Sequence, residues 1–240
     1  MKRLIAKIKR ELTALRNKLT ISRDFRAKLG QNYHALTWPE RLAYRLWYYR
    51  HLSPADRFFF EGERGLAGQM YIRDRAALHE TILHFKPRYC IEIGTWTGGG
   101  STFFLADAFR RLGNGTLFTL ESDRYTHDQA RRYYRHHLPA LDRHINFVHG
   151  HDITTFKPVI ESFGGLDCCF LDGAEDSTET AEQYKFLEPY FRPGTILMAH
   201  DWHTTKTAAL RPQITADPHW QLVKEIGAPE SVGFVVFKRV

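Results

Sequence analysis

The sequence predicts an α/β fold with a doubly wound sheet of seven strands, the last of them antiparallel, behind a helical N-terminal extension. From residue 88 onward, apolar runs of strand length alternate with segments of helical periodicity. Strands that are buried on both faces and joined by helices form parallel sheets. A glycine-rich turn follows the first of these strands, and two strand-like segments joined by a short loop end the chain.

Five strands, with four helices between them, make up most of the predicted sheet. The predicted strands are Tyr89–Ile93, Thr116–Leu120, Ile145–Val148, Asp167–Leu171 and Thr195–Ala199. The predicted helices between them are Ser101–Leu112, His127–His137, Pro158–Phe163 and Thr178–Tyr190. The last two strands, Gln221–Ile226 and Gly233–Lys238, flank a loop with glycine and proline, which predicts an antiparallel hairpin at the sheet edge.

We expect residues 1–55 to form a basic helical extension and residues 56–240 to form the main domain. Residues 1–50 contain 13 Lys and Arg against 3 Asp and Glu, so the net charge of +7 for the whole chain leaves −3 for residues 51–240. The basic character therefore belongs to the extension. Within it, Thr37 and Glu40 have the spacing of a helix N-cap and its capping-box partner.

Apolar residues at the start of the chain recur at alternating spacings of four and three: Met1, Ile5, Ile8, Leu12, Leu15 and Leu19. Lys and Arg surround this heptad seam. It is compatible with a helix packed on its own domain, a helix that joins copies into a homo-oligomer, or a basic helix on an anionic membrane surface. An uninterrupted seam favours a partner helix, with peripheral membrane contact as the alternative.

Composition favours an ordinary soluble protein, with 43% hydrophobic and 25% charged residues. No apolar run approaches the roughly 20 residues of a membrane span. The N-terminus lacks the apolar stretch of a secretory signal, so we expect a cytoplasmic location. The cysteines Cys90, Cys168 and Cys169 lie in predicted strands, which indicates reduced, buried thiols.

The glycine-rich turn begins with Glu92, Gly94 and Gly98, spaced as Glu-x-Gly-x-x-x-Gly. Dinucleotide binders use Gly-x-Gly-x-x-Gly to seat a pyrophosphate. The spacing found here instead resembles motif I of class I S-adenosylmethionine-dependent methyltransferases, whose fold is Rossmann-like. The resemblance implies that Glu92, Gly94, Thr95 and Gly98 hold the cofactor, with Glu92 toward its methionine end.

Two later strand ends carry acids in positions that match the same family. Glu121 ends the second strand, where the resemblance implies hydrogen bonds to the ribose hydroxyls of the cofactor. Asp152 follows the third strand and resembles the family's adenine contact. An acid after a strand is often only a helix N-cap, but three such loops in the expected order share one sheet edge.

The fourth and fifth strands end in Phe-Leu-Asp172-Gly and His200-Asp201-Trp202, with Arg-Pro-Gly between them. This pattern is similar to small-molecule O-methyltransferases of the macrocin and rhamnosyl type and to cephalosporin-hydroxylase-like proteins, over about residues 65–238. The Pro-Pro-Tyr sequence of amino-directed DNA methyltransferases is absent. Two departures matter: Glu175 stands where several relatives have His, and Trp202 where metal-dependent relatives have Asn.

A hydroxyl acceptor is a weak nucleophile until it loses its proton, so the site needs a base or a metal ion. Asp172, His200 and His203 are the catalytic candidates, and the resemblance adds Asp172 to the cofactor contacts. Asp172 and Asp201 also form a candidate Mg²⁺ site, which His203 or Glu175 would complete. The alternative is a metal-free site in which one acid stays protonated or a histidine supplies the counter-charge.

The sequence therefore predicts an S-adenosylmethionine-dependent methyltransferase that acts on the hydroxyl of a small molecule or sugar. An RNA methyltransferase is the alternative suggested by the basic extension. The charge of −3 on residues 51–240 argues against nucleic acid as a partner. A non-catalytic Rossmann-like scaffold, or an NAD-type binding protein, is the alternative outside the enzymes.

Overall fold

Seven strands lie in one sheet in the computed structural model, which describes residue 10, residue 13 and residues 23–240. In chain order they are β1 Tyr89–Ile93, β2 Thr116–Glu121, β3 Ile145–His149, β4 Cys168–Leu171, β5 Ile196–His200, β6 Trp220–Ile226 and β7 Phe234–Arg239. The spatial order is β3-β2-β1-β4-β5-β7-β6. Strand β7 is antiparallel to both neighbours, and the other pairs are parallel. The predicted fold class is confirmed.

Helices precede the sheet and connect its strands. They are α1 Arg23–Gln31, α2 Trp38–Ala43, α3 Pro54–Glu61, α4 Ile72–Phe85, α5 Ser101–Leu112, α6 Arg124–His137, α7 Pro139–Asp142, α8 Lys157–Ser162, α9 Ser177–Leu187 and α10 Leu210–Ala216. Both ends of the predicted helix Ser101–Leu112 are confirmed. Helix α10 was not predicted, because it has only seven residues and includes Pro212. It belongs to the crossover that returns the chain from β5 to β6.

Alternate residues of each central strand enter two different apolar clusters, one on each face of the sheet. Cys90 packs with Phe104 and Phe109 of α5, whereas Tyr89 packs on the opposite face with Leu187 of α9. Strands buried in this way explain the unbroken apolar runs of the sequence. All three cysteines are buried and free of disulfides, as expected.

A third apolar cluster lies under the N-terminal helices and contains Phe25, Tyr33, Tyr44 and Phe60. The predicted helix start at Thr37 is confirmed, because the Glu40 carboxylate accepts hydrogen bonds from the Thr37 backbone N–H at 2.7 Å and from its hydroxyl at 2.8 Å. Beyond α2 the helical path continues through a wider turn and a tighter one to residue 51. The heptad seam lies outside the described residues. None of the described helices is long and apolar enough to cross a membrane.

Helices α4 and α5 are joined by ion pairs around Asp107. The carboxylate lies 2.9 Å from His79 Nε2, 2.6 Å from Arg110 Nη2 and 2.5 Å from Arg111 Nε. Burial alone would raise the pKa of Asp107, but hydrogen bonds from these three side chains outweigh it and hold the pKa well below its usual value. This carboxylate therefore stabilises the folded state as an anion.

We expect Asp107→Asn to destabilise the protein by roughly 2–4 kcal/mol at neutral pH, because three buried or half-buried donors lose a charged acceptor. Because the pKa of Asp107 is lower in the folded state, its carboxylate stabilises the fold at pH values above the unfolded pKa of about 4. This stabilisation is lost as the pH falls. Urea unfolding at pH 7 and pH 3 should show a smaller difference between variant and wild type at pH 3. Glu161→Gln, which removes the exposed partner of Lys157, is the control and should change stability by less than about 1 kcal/mol. If Asp107→Asn lost the same stability at both pH values, Asp107 would not stabilise the fold as an anion.

Candidate active site

A cavity of about 510 Å³ opens at the carboxyl ends of β1, β2, β4 and β5. The strand order reverses direction between β1 and β4, and ligands of doubly wound sheets bind at such a point. The turn after β1 forms one wall, and the loops after β4 and β5 form another. The segment Gln69–Tyr71, which leads into α4, completes the rim.

The turn after β1 depends on glycine at two positions. Gly94 has a φ of +103°, and a Cβ there would lie 2.7 Å from the Cα of Gly173 in the loop after β4. Gly98 has a φ of +80°, and its carbonyl accepts a 2.6 Å hydrogen bond from the hydroxyl of Tyr134. L-residues rarely adopt such positive φ values, and the first position has no room for a side chain. Gly94 thus keeps the two loops in close contact and lines the cavity, whereas Gly98 is buried and lines neither this cavity nor the adjoining one.

Glu92 lies beneath this turn, fully buried, and does not line the cavity. Its Oε2 accepts hydrogen bonds from the hydroxyls of Thr102 at 2.7 Å and Thr119 at 2.6 Å. Its Oε1 is buried and has no hydrogen-bond partner among the described residues. Burial raises the pKa of Glu92 to about 7, although the hydroxyl hydrogen bonds oppose the shift. Thr95, whose hydroxyl is 2.5 Å from that of Thr119, does line the cavity.

Glu121 stands at the tip of β2 and lines both the main cavity and a smaller adjoining one of about 160 Å³. Its Oε2 accepts the Trp96 backbone N–H at 2.7 Å, and its Oε1 accepts the Asp123 backbone N–H at 2.9 Å. These bonds fix the carboxylate at the rim, and each oxygen keeps a lone pair for a further donor.

Asp152 lines neither of these two cavities. It is exposed, and its Oδ1 accepts the Thr154 backbone N–H at 2.8 Å, so it caps the short helical turn Ile153–Phe156. Gly150 and His151, just before it, line the smaller cavity instead. Asp152 therefore makes the contacts of a helix N-cap, which is a common role for an acid that follows a strand.

Asp172 and Asp201 end the neighbouring strands β4 and β5 and face each other across the cavity floor. Lys206, from the short helical turn Thr205–Thr207, lies between them. Its Nζ is 3.3 Å from Asp172 Oδ1 and 3.2 Å from Asp201 Oδ2, and it donates to the Asp172 backbone carbonyl at 2.5 Å. The ammonium group therefore offsets the repulsion that two adjacent carboxylates would otherwise feel.

His200 lies behind this pair, buried between two carboxylates. Its Nε2 is 3.2 Å from Asp74 Oδ2, and its Nδ1 is 3.3 Å from Asp172 Oδ1. Burial alone would lower the pKa of His200, but Asp172 and Asp74 outweigh it and raise the pKa to about 10. Both ring nitrogens therefore donate, and the side chain is a cation at neutral pH.

His203 is not brought to the cavity. Asp201 has a φ of +56°, which turns the chain sharply after β5. The backbone N–H of Trp202 then bonds to the Gly233 carbonyl at 3.0 Å, and the indole is buried against Phe237. His203 is left on the far side, where its Nε2 is 2.7 Å from Glu225 Oε1. The expectation that His203 takes part in the site is corrected on this geometry.

Sequence reasoning missed Lys206 and Asp74. Lys206 follows Asp201 by five residues in an irregular segment, and a lone lysine there has no motif that distinguishes it from a surface residue. Asp74 lies on α4, far from every strand end in sequence, and only the fold places it behind His200. Glu175, named as a candidate metal ligand, does line the cavity.

Comparison with known proteins agrees with this architecture. Residues 91–202 match the model of a family described as a methyltransferase domain. No protein with a curated function has a significantly similar sequence.

Solved structures supply relatives of the fold. An O-methyltransferase from Bacillus cereus in complex with S-adenosylhomocysteine is 20% identical, covers 70% of this chain and 81% of its own, and has a TM-score of 0.55. The O-methyltransferase TomG from Streptomyces achromogenes, involved in tomaymycin synthesis and crystallised with S-adenosylmethionine, is 18% identical, with coverages of 78% and 86% and a TM-score of 0.57. Cofactor-bound Rv0187 from MTB is also 18% identical, with coverages of 82% and 94% and a TM-score of 0.58.

The family match covers the glycine turn, the acid after β2 and both aspartates of the cavity floor. The strand order and the antiparallel last strand extend the agreement to the whole sheet. Residues 91–202 are therefore similar to a methyltransferase domain, and the sheet shares the fold of solved O-methyltransferases.

Proposed function

We propose that this protein transfers a methyl group from S-adenosylmethionine to a hydroxyl of a small molecule. The observation that carries the proposal is that one cavity has a cofactor side and an acceptor side. The glycine turn and Glu121 line one side, as a cofactor site requires, and the paired carboxylates of Asp172 and Asp201 line the other. A cavity of about 510 Å³ at the strand switch point has the size of a small-molecule site. The O-methyltransferases that share the fold support the choice of a hydroxyl acceptor.

The residues around the glycine turn fit the cofactor. Glu121 offers a fixed carboxylate to the ribose hydroxyls, and Gly94 lines the cavity with no side chain in the way, while the buried Gly98 holds the turn in shape. Glu92 lies buried beneath the turn with an unpartnered Oε1, and a cationic group of the cofactor near the turn would favour its ionised form. We assign the adenine side to the smaller cavity beside His151, and Asp152 shapes that loop by capping it. When bound, S-adenosylmethionine supplies an electrophilic methyl group.

The acceptor side is built to orient a hydroxyl. Asp172 Oδ1 is held by His200 and Lys206, which leaves its other carboxylate oxygen to accept a hydrogen bond from the acceptor. Alignment of the acceptor oxygen contributes most where the electrophile is already reactive. Asp172 would orient the acceptor hydroxyl through this hydrogen bond, and the cations His200 and Lys206 lower the pKa of Asp172 and keep it ionised as an acceptor. His200 acts as a positioning residue, because both of its nitrogens are already donors.

A divalent metal ion does not fit this arrangement. Oxygen and nitrogen atoms of Asp172, His200 and Asp201 do lie within 4.8 Å of one another. However, a histidine ligand needs a free lone pair, and both nitrogens of His200 face carboxylates. The Lys206 ammonium bridges the two aspartates at the place a bridging cation would take. We therefore propose a metal-independent site in place of the Mg²⁺ site considered from the sequence.

For the rest of the chain, we propose that residues 1–55 form an extension of a methyltransferase domain that spans 56–240. The aromatic cluster of Phe25, Tyr33 and Tyr44 with Phe60 supports a fixed junction between the two. The net negative charge of residues 51–240 supports a small-molecule acceptor over nucleic acid. A cytoplasmic location and a homo-oligomer joined by the N-terminal seam remain part of this proposal.

Glu121→Ala should weaken S-adenosylmethionine binding by roughly 1.5–3 kcal/mol, because two hydroxyl donors lose a charged acceptor. Titration calorimetry with S-adenosylmethionine, S-adenosylhomocysteine and NAD measures the effect. Glu225→Ala, which removes the exposed partner of His203, is the matched control and should bind normally. Unchanged affinity in Glu121→Ala, or preferential binding of NAD by the wild type, would reject the cofactor assignment.

Glu92→Gln keeps an acceptor for Thr102 and Thr119 but cannot ionise. Wild-type Glu92 has a folded pKa of about 7 against 4.5 for the free group, so its protonated form stabilises the fold below pH 4.5 and that contribution is lost as pH rises toward 7. The stability of Glu92→Gln relative to wild type should therefore increase by on the order of 2 kcal/mol between pH 5 and pH 8. Thermal unfolding across this range measures the difference. A difference that does not change with pH would refute the buried-acid account.

Lys206→Met removes the ammonium group while keeping the length of the side chain. We expect wild-type protein to bind Mn²⁺ weakly and the variant to bind it at least about tenfold more tightly, because two carboxylates then lack their counter-charge. Calorimetry or electron paramagnetic resonance detects the binding without any acceptor. Lys224→Met, which breaks an exposed pair with Glu80, is the control. Tight Mn²⁺ binding by the wild type that Asp201→Asn abolishes, or methyl transfer that is lost in EDTA, would restore the metal site.

A further inference from the structure

A further cavity, of about 320 Å³, lies between the N-terminal helices and the glycine turn after β1. The end of α1 and the turn that follows it line one side, and residues 67–69 with Trp96 line the other. We call this space the extension cavity. Gln69 and Trp96 also line the main cavity, so the two cavities adjoin. A ligand in the main cavity can therefore reach the extension cavity past these two side chains.

The segment between the two cavities is held from both sides. On the side of the extension, Asn32 Nδ2 donates to the Met70 carbonyl at 3.3 Å. On the side of the glycine turn, the Thr97 hydroxyl donates to the Ala67 carbonyl at 2.7 Å. The walls of the extension cavity are therefore fixed both to the N-terminal helices and to the turn that carries the cofactor site, so the space is formed without a ligand.

Trp96 stands at the boundary of the two cavities, with its side chain 42% exposed. Its φ of +47° is one that bulky residues rarely adopt. Its backbone N–H donates to Glu121 Oε2 at 2.7 Å, which holds the residue in this conformation. Strained backbone of this kind is concentrated at functional sites, where the position of a side chain matters. The exposed indole offers a ligand a flat apolar surface.

The rest of the lining is polar but uncharged. None of the eight described residues that line the extension cavity is an acid, a lysine or an arginine. The side-chain amides of Gln31 and Gln69 form no hydrogen bond with another described residue. Burial lowers the pKa of His34, and its Nε2 lies 3.3 Å from the Glu63 carbonyl. The neutral ring therefore donates through Nε2 and keeps Nδ1 as an acceptor.

This lining selects the chemical class of the ligand. A phosphate or carboxylate would find no cation among the described lining residues, and a wholly apolar ligand would cover the two amides without giving them partners. A neutral ring with several hydroxyls avoids both costs. Its hydroxyls can exchange hydrogen bonds with the amides and the imidazole, and its C–H groups can pack on the electron-rich face of the indole. The volume lies at the lower end for small-molecule sites, which suits one such ring.

We propose that the acceptor is a two-part molecule, with its reacting hydroxyl in the main cavity and a neutral sugar ring in the extension cavity. Trp96 packs against that ring, and Gln31, His34 and Gln69 bind its hydroxyls. The N-terminal extension thus takes part in recognising the acceptor. This inference rests on the proposed transfer of a methyl group to a hydroxyl, and it adds the class of acceptor.

The test uses protein saturated with S-adenosylhomocysteine, titrated by calorimetry with probes that share one phenol. The probes are hydroquinone, 4-hydroxyphenyl phosphate, and the 4-hydroxyphenyl glucoside, galactoside and mannoside. We expect at least one glycoside to bind at least about tenfold more tightly than hydroquinone, because its sugar adds hydrogen bonds and ring packing. The phosphate should bind no more tightly than hydroquinone, because its charge has no partner in the extension cavity.

Trp96→Leu and Gln31→Leu should each remove most of the difference in affinity between the glycoside and hydroquinone. The affinity of each variant for S-adenosylhomocysteine is measured first, so that every titration is made at saturation. Gln213→Leu removes an exposed side-chain amide from α10, outside both cavities, and is the matched control. It should bind the glycoside as the wild type does.

Three results would overturn the inference while leaving the proposed function in place. With S-adenosylhomocysteine bound, all three glycosides could bind no more tightly than hydroquinone, or the phosphate could bind most tightly. In the third case, Trp96→Leu and Gln31→Leu would keep the wild-type preference for the glycoside. A wild-type protein that does not bind S-adenosylhomocysteine would instead reject the proposed function, and this inference with it.

Discussion

A chain of alternating charges at the carboxyl edge of the sheet holds the candidate active site together. It runs from Asp74 through His200 and Asp172 to Lys206 and Asp201, with distances of 3.2 to 3.3 Å between successive groups. Each carboxylate in this chain is next to a cation, which offsets the cost of burying its charge. Removing any one member leaves its neighbours with unbalanced charge, which is why the loops after β4 and β5 and helix α4 take fixed positions relative to one another.

The sheet could be predicted from the sequence almost to the residue, because its strands are buried on both faces and leave unbroken apolar runs. The edges of Tyr89–Ile93 and Ser101–Leu112 are marked by glycine turns and by the change from strand to helix periodicity, so their bounds were confirmed. Helix α10 was not predicted, since a seven-residue element with proline carries too little periodic signal.

The site was only partly predictable, and the reason is physical. Gly94 and Gly98 could be predicted from the sequence, because the backbone geometry at these two positions requires glycine. Asp172 and Asp201 follow from the rule that neighbouring parallel strands end at one edge. Lys206 and Asp74 come from segments with no periodic pattern at the site, and their positions depend on tertiary packing alone. His203 was misplaced because a positive φ at Asp201 reverses the direction of the chain, and no sequence pattern at that position indicates it.

The position of Lys206 has a consequence for how relatives of this protein could diverge. The ammonium group belongs to the flexible side chain of Lys206, which lies on a short helical turn outside the sheet. A single codon change at this position would exchange a covalently attached cation for a diffusible one, while Asp172, Asp201 and the surrounding fold stay as they are. Dependence on an external ion can thus be gained or lost in one evolutionary step, without any change in the architecture that places the two carboxylates together.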